Sequence, residues 1–249
     1  MLDISLPIPT PPWKKLGRHL ESVIRKGIYE YQMLEGIDTL AIALSGGKDS
    51  LTLLFMLKAI SGHGFPKLNL YAIHIRGSFS CGASLQDNLL EKICKKLEIP
   101  LIICQSSQKE NMQNCYSCSR ERRKLIFEAA KKVGATTVAF GHHRDDNAQT
   151  LLMNLFHKGE FAGNLPKLYM VDYKICIIRP LILVAEKNIT QFAKEYGFYR
   201  LTCRCPIGQN SMRKKMDRLL SEMEELFPNI RGNIGQASLL YGSDKAKKK

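Results

Sequence analysis

Six consecutive residues, Ser45-Gly46-Gly47-Lys48-Asp49-Ser50, are of the types that hold a polyphosphate. Two glycines allow a tight turn and a close approach of the backbone to a ligand. Lys48 adds a cation and Ser45 and Ser50 add hydroxyl donors. Asp49 adds a carboxylate able to hold a magnesium ion against phosphates. A helix starting at this point contributes free amides and the positive end of its dipole, which complete an anion site. The spacing is not that of a Walker A loop, which needs G-x-x-x-x-G-K-[ST]. The alternative is an ordinary glycine turn closed by a Ser or Asp cap.

Two further groups carry chemistry. Gly141-His142-His143-Arg144-Asp145-Asp146 offers adjacent carboxylates for magnesium or for polarising a reacting group. The pair also suits plain capping of helix amides, and the histidines suit either a ligand pocket or a satisfied structural role. Among eight cysteines, Cys115 and Cys118 form C-x-x-C, and Cys203 and Cys205 form a tighter second cluster. C-x-x-C brings two thiolates to one metal centre, and a zinc site could close with Cys203 and Cys205. A redox C-x-x-C would need a thioredoxin-like context, which is missing here. Cys81, Cys94, Cys104 and Cys176 read as small buried hydrophobes.

The elements that must position these groups follow from periodicity. Residues 13–33 carry an amphipathic helical pattern, and 39–44 are an apolar run that suits a buried strand. Helices are expected near 49–60, 85–97, 119–133, 145–157 and 186–196. Strands are expected at 68–75, 100–104, 136–140 and 175–178. The alternation predicts an α/β fold with a doubly wound parallel sheet of about five strands. An N-terminal helix precedes the sheet and a helical extension follows it, giving divisions at 1–36, 37–200 and 201–249. Crossovers in such sheets are right-handed, and ligands bind beyond the carboxyl ends of the strands near a switch in strand order. The loop at 45–50 and the segment at 141–146 both follow strands there.

Composition bounds the partners. The 249 residues carry 37 Lys and Arg against 23 Asp and Glu, a formal net charge of +14, which favours polyanions or serves solubility alone. No apolar run approaches the ~20 residues that span a bilayer. The start of the chain lacks a secretory pattern, so a cytoplasmic protein with free thiols and no membrane partner is expected.

The hexapeptide at 45–50 resembles the PP-loop of the N-type ATP pyrophosphatases, which cleave ATP between the α and β phosphates and adenylate a substrate oxygen. Cys115-Tyr116-Ser117-Cys118-Ser119-Arg120-Glu121-Arg122-Arg123, the 141–146 segment, Ile178-Arg179-Pro180-Leu181 and Cys203 occur in order. Together they resemble the tRNA 2-thiocytidine synthetase family over roughly residues 14–218. That resemblance implies ATP on Ser45, Gly46, Gly47, Lys48, Asp49, Ser50 and Gly141, with Mg2+. It implies catalytic roles for Asp49, Arg122 and Asp145, and a [4Fe–4S] cluster on Cys115, Cys118 and Cys203. It further implies sulfur from a cysteine desulfurase, tRNA thiolated at cytidine 32 and a homodimer. Lys14, Lys15, Arg18, Arg213, Lys214 and Lys215 would grip RNA phosphates.

The chain departs from that family in places. The family it resembles carries a second cysteine three residues after the third ligand, where this chain has Pro206, and Cys205 reads as a spare thiol, a fourth ligand or a sulfur carrier. An acidic residue tends to follow the second strand of the family, whereas this chain reads Ile73-His74-Ile75-Arg76. The stretch between Cys104 and Cys115 is shorter. Two rival readings are a zinc-containing PP-loop enzyme of 2-thiouridine, lysidine or amide synthesis, and a nucleotide-sensing RNA-binding module without catalysis.

Overall fold

The apolar run at 39–44 forms a strand buried on both faces. The computed structural model describes residues 8–77, 83–106, 115–198 and 212–244. In it, β1 (Thr39–Ala43) sends Leu40 and Ile42 into one core and Ala41 and Ala43 into another. Successive side chains of a strand point to opposite faces, so a strand covered on both sides is apolar throughout. The sheet also contains β2 (Asn69–Arg76), β3 (Leu101–Gln105) and β4 (Thr137–Ala139). After a short β5 (Ala162–Gly163) come β6 (Lys167–Met170) and β7 (Ile175–Ile178).

The strand order is β3-β2-β1-β4-β7-β6. The first five strands run parallel, as the alternating pattern predicts, and β6 lies antiparallel on β7. The sequence pattern gives no sign of β6. Its four residues alternate between exposed and half-buried, and they follow Gly163 and Pro166, which read as a turn. Strand order reverses about β1, so the crevice between β1 and β4 is the switch point where ligands of such sheets bind.

One face of the sheet is covered by α1 (Lys15–Glu30), α2 (Lys48–Ile60), α3 (Ala83–Lys96) and α6 (Glu186–Glu195). Leu20, Ile24 and Ile28 recur every four residues along α1 and form the stripe that it buries. The other face is covered by α4 (Cys115–Lys132), which places Ile126, Phe127, Ala129 and Ala130 against β1, β2, β4 and β7. Helix α4 begins one turn before the expected 119, so the C-x-x-C positions belong to its first turn rather than to a loop.

Helix α5 (Arg144–Lys158) leaves the end of β4. Among the described residues the C-terminal extension forms the helices α7 (Met212–Leu226) and α8 (Ile230–Tyr241), broken at Pro228 and packed on α5. A last strand, β8 (Ser243–Asp244), pairs with β5.

Candidate active site

The loop at 45–50 leaves β1 through Gly46, whose φ of +81° lies in the left-handed region that favours glycine. Its two serines brace it. The Gly47 amide donates to Ser45 Oγ at 3.3 Å, Ser50 Oγ donates to the Gly47 carbonyl at 3.0 Å, and the two hydroxyls lie 3.1 Å apart. Gly47 is the N-cap of α2 but offers no side-chain cap, so the first amides of the helix are left for a ligand.

Lys48 Nζ lies 2.9 Å from Asp49 Oδ1 and 2.9 Å from Glu186 Oε1 at the start of α6. Burial alone would lower the Lys48 pKa, but Asp49 and Glu186 outweigh it and raise the pKa above its usual value. The ammonium is therefore held charged between two carboxylates. Glu186 has no place among the residues read from the sequence, because an acidic residue in the first turn of a helix is also what an ordinary helix prefers.

Gly141 carries the end of β4 against this turn. A Cβ there would stand 3.2 Å from Asp49 C and Ser50 N, a tight contact with backbone atoms. Glycine suits that close approach whether or not it also touches a ligand.

The next residues start α5 with a reciprocal capping box. His143 Nδ1 accepts from the Asp146 amide at 3.3 Å, and the His143 amide donates to Asp146 Oδ2 at 3.1 Å. His143 Nε2 also lies 3.8 Å from Asp49 Oδ1, which links this turn to the loop. Asp145 faces elsewhere: its Oδ2 accepts from the Glu186 amide at 2.8 Å and so caps α6. Both carboxylates thus bond helix amides in the ligand-free chain, and Asp145 ties α5 to the helix that holds Lys48.

Asp146 is bridged by Arg213 from α7 at 3.1 Å. Burial would raise its pKa, but His143 and Arg213 prevail and hold the carboxyl below 3.8. His142 stacks on Phe140 with ring centroids 5.8 Å apart, and its enclosed Nδ1 makes no hydrogen bond. Burial, opposed by Asp146 but aided by Arg179, Arg213 and Arg123, pushes the imidazole pKa down to about 3.

Arg122 follows Cys118 by one helical turn, and its guanidinium packs over Gly77 just past the carboxyl end of β2. The Cys118 thiol is half-buried and in no disulfide. Cys203, Cys205 and the side chain of Cys115 lie outside what the structure describes, and among the described residues no three His, Cys, Asp or Glu side chains gather as metal ligands. The structure therefore brings Ser45, Gly46, Gly47, Lys48, Asp49, Ser50, Gly141 and Asp145 to one crevice. A cleft of about 860 Å³ opens beside Asp145 and Glu186, between α6 and the corner joining α7 to α8. No helix among the described residues is long and apolar enough to cross a membrane.

Comparison with known proteins agrees with this geometry. Residues 16–200 match the PP-loop domain family. The chain is 34% identical over 226 residues to a tRNA-cytidine(32) 2-sulfurtransferase of Dechloromonas aromatica, covering 88% of this chain and 79% of that one. A protein of the same name from Coxiella burnetii is 33% identical over 233 residues, 90% of each chain. Among solved structures, the U34-tRNA thiolase NcsA from Methanococcus maripaludis, with its [4Fe-4S] cluster, superposes with a TM-score of 0.74. That similarity covers 94% of this chain and 82% of NcsA at 22% identity, and it supports the fold.

Proposed function

The chain belongs to the PP-loop family and, within it, to the tRNA-cytidine(32) 2-sulfurtransferases, and from that membership we propose how its crevice performs the reaction. The protein is an ATP-dependent tRNA-thiolating enzyme. The observation that carries this reading is the identity of 33% across nine-tenths of both chains, on a fold that sets residues 45–50 at the switch crevice.

The loop and the open amides of α2 hold the pyrophosphate of ATP, with Lys48 turning from Asp49 and Glu186 to the phosphates. The carbonyl oxygen of the base attacks the α-phosphorus and pyrophosphate leaves. Sulfur already reduced to the sulfide level then adds at the base carbon and loses its proton, and AMP departs with the former carbonyl oxygen. The helix amides, fixed before reaction, and Lys48, once it has turned to the phosphates, stabilise the charge on the departing pyrophosphate. Asp145 is proposed to act on the activated base, with Arg122 approaching from the end of β2. The base, cytidine 32, must be turned out of its stack, which an anticodon loop permits.

Asp49 and Glu186 offer hard oxygen donors beside the loop, which fits magnesium as the companion of ATP. Positions 115 and 118 stand one turn apart at the start of α4, and thiolates there, with Cys203, fit a soft iron centre. A bound [4Fe–4S] cluster would supply a thiophilic iron for the incoming sulfur, delivered by a cysteine desulfurase. A cytoplasmic homodimer, and the division at 1–36, 37–200 and 201–249, belong to the same proposal.

The test incubates anaerobically reconstituted protein with ATP, Mg2+, a sulfur donor and tRNA, and reads tRNA nucleosides by mass spectrometry. We expect 2-thiocytidine together with tRNA-dependent release of AMP and pyrophosphate. Cys115→Ala, Cys118→Ala and Cys203→Ala should each abolish thiolation, while Cys205→Ala should retain it. AMP release without a thionucleoside would move the reading to amide or lysidine synthesis, and full activity with zinc alone would remove the cluster.

A further inference from the structure

A buried polar chain lies beside the loop, and nothing in the reaction above uses it. His74 on β2 and Asp87 on α3 are 6% and 4% exposed. His74 Nδ1 lies 2.7 Å from the carbonyl oxygen of Leu44, the last residue before the loop. On the other side of the ring, Nε2 lies 3.5 Å from Asp87 Oδ1. Arg76, two residues further along β2, donates from Nε to Asp87 Oδ2 at 2.7 Å and reaches the same oxygen from Nη2. Burying an imidazole and a carboxylate side by side is costly unless each is engaged. Asp87 is engaged through Oδ2 by Arg76, while its buried Oδ1 faces His74 Nε2 without a hydrogen bond, so the hydrogen bond of the imidazole is the one that runs to the loop.

The contact falls at a decisive point of the backbone. The Leu44 amide already donates to the Ile73 carbonyl at 2.8 Å, which extends the β1–β2 ladder one residue beyond β1. With its carbonyl held by His74 as well, Leu44 is fixed on both sides by consecutive residues of β2. A trans peptide is planar, so fixing the Leu44 carbonyl fixes the Leu44–Ser45 plane. In a trans peptide the N–H lies opposite the carbonyl, so the N–H of that plane points away from His74. The imidazole therefore sets the direction in which residues 45–50 leave the sheet. For the contact to be a hydrogen bond, Nδ1 must carry the proton, because a carbonyl oxygen only accepts.

We propose that His74 is a positioning residue for ATP: buried beside Asp87, which Arg76 holds, it fixes through Nδ1 the peptide at the root of the loop in the orientation that receives the phosphates. This rests on the reading that residues 45–50 bind ATP. It adds a supporting layer on β2 and α3, apart from the residues expected to touch the nucleotide.

Three substitutions at position 74 separate the roles. Asn places an amide N–H close to where Nδ1 stands, Gln places it nearer Nε2, and Leu removes it. We expect His74→Leu to weaken ATP binding about tenfold and to raise KM for ATP, while kcat and KM for tRNA change less than about threefold, a tenfold change being ~1.4 kcal/mol. His74→Asn should stay within about threefold of the parent for ATP, and His74→Gln should behave like Leu. Binding is read by calorimetry with ATP and Mg2+ on the intact protein, after thermal melting confirms folding. Unchanged ATP affinity in folded His74→Leu overturns the proposal. If His74→Leu does not fold, equal affinities of the Asn and Gln variants overturn it. If the unmodified protein binds no ATP, the loop reading itself fails, and the variants are not needed to show it.

Discussion

His142 folds with its Nδ1 enclosed and arginines around it, so protonating it costs more in the native chain than in the unfolded one. Between its ordinary value of 6.5 and the folded value of about 3, the unfolded chain takes up the proton and the native chain does not. Stability must therefore fall as pH drops through that window. Asp146 also disfavours its proton in the native chain, because His143 and Arg213 stabilise its charge, and its contribution fails at lower pH. Its carboxyl is held below 3.8, so the stability it contributes is whole above that value and is lost as pH falls below it. The two windows make a direct experiment. His142→Gln keeps a polar side chain without the titration. It should flatten the fall in melting temperature between pH 6.5 and the carboxylate range. Asp146→Asn should lower the melting temperature at neutral pH and leave the slope above pH 4 as it was. Equal slopes for the parent and His142→Gln in a pH series at constant salt would contradict the assignment to this imidazole.

At the scale of elements, α5 is held by polar contacts where a bundle would use apolar ones. Asn147 is fully buried: its Oδ1 accepts from the Asn164 amide at 2.7 Å and from Ser238 Oγ at 3.1 Å, and its Nδ2 donates to the Gly235 carbonyl at 3.4 Å. Arg213 to Asp146 and Gln149 to Asp217 extend the same seam toward α7. The apolar part of the contact is only Ala148, Leu152 and Leu220 with their neighbours. Asn147→Ala should therefore cost roughly 1–3 kcal/mol for each buried group it leaves unpaired, read as a lower urea midpoint with an unchanged slope. A loss under ~0.5 kcal/mol, the range of neutral surface changes, would show that the seam carries no weight.

This seam also marks the limit of what the sequence tells. Five strands, the loop at 45–50 and the turn at 141–146 are legible because each is local. The run at 39–44 is apolar on both faces, Gly46 and Gly47 break it, and Gly141 closes the run at 136–140. Glu186, Arg213 and His74 are not legible, because their meaning depends on partners 138, 67 and 30 positions away. Asp145 was readable as a capping residue, but the helix it caps is α6, which only the packing of α5 against α6 reveals. The start of α4 at Cys115 was hidden by a basic stretch with no apolar stripe in its first turn.

For the whole molecule, the formal charge of +14 has to be reconciled with a site whose charges are largely paired. Lys48 is satisfied by two carboxylates, Arg213 by Asp146, and Arg231 by Asp217 and Glu224. The surplus instead lies on outer surfaces, including Lys14, Lys15 and Arg18 at the start of α1 and Lys214 and Lys215 on α7, all exposed. Such a distribution acts on a polyanion through counterion release and leaves the chemistry of ATP nearly untouched. Binding of tRNA should then weaken steeply with salt. If about six phosphates are neutralised, affinity falls about 10³-fold between about 50 and 200 mM, by a slope near 0.9 per duplex phosphate. Lys214→Gln with Lys215→Gln should lower that slope by roughly 1.4 to 1.8 if both lysines meet phosphates, with KM for ATP unchanged. Filter binding across a salt series measures both slopes. A flat response to salt in the parent protein would mean that the charge serves solubility, and RNA recognition would then have to come from base contacts in the crevice.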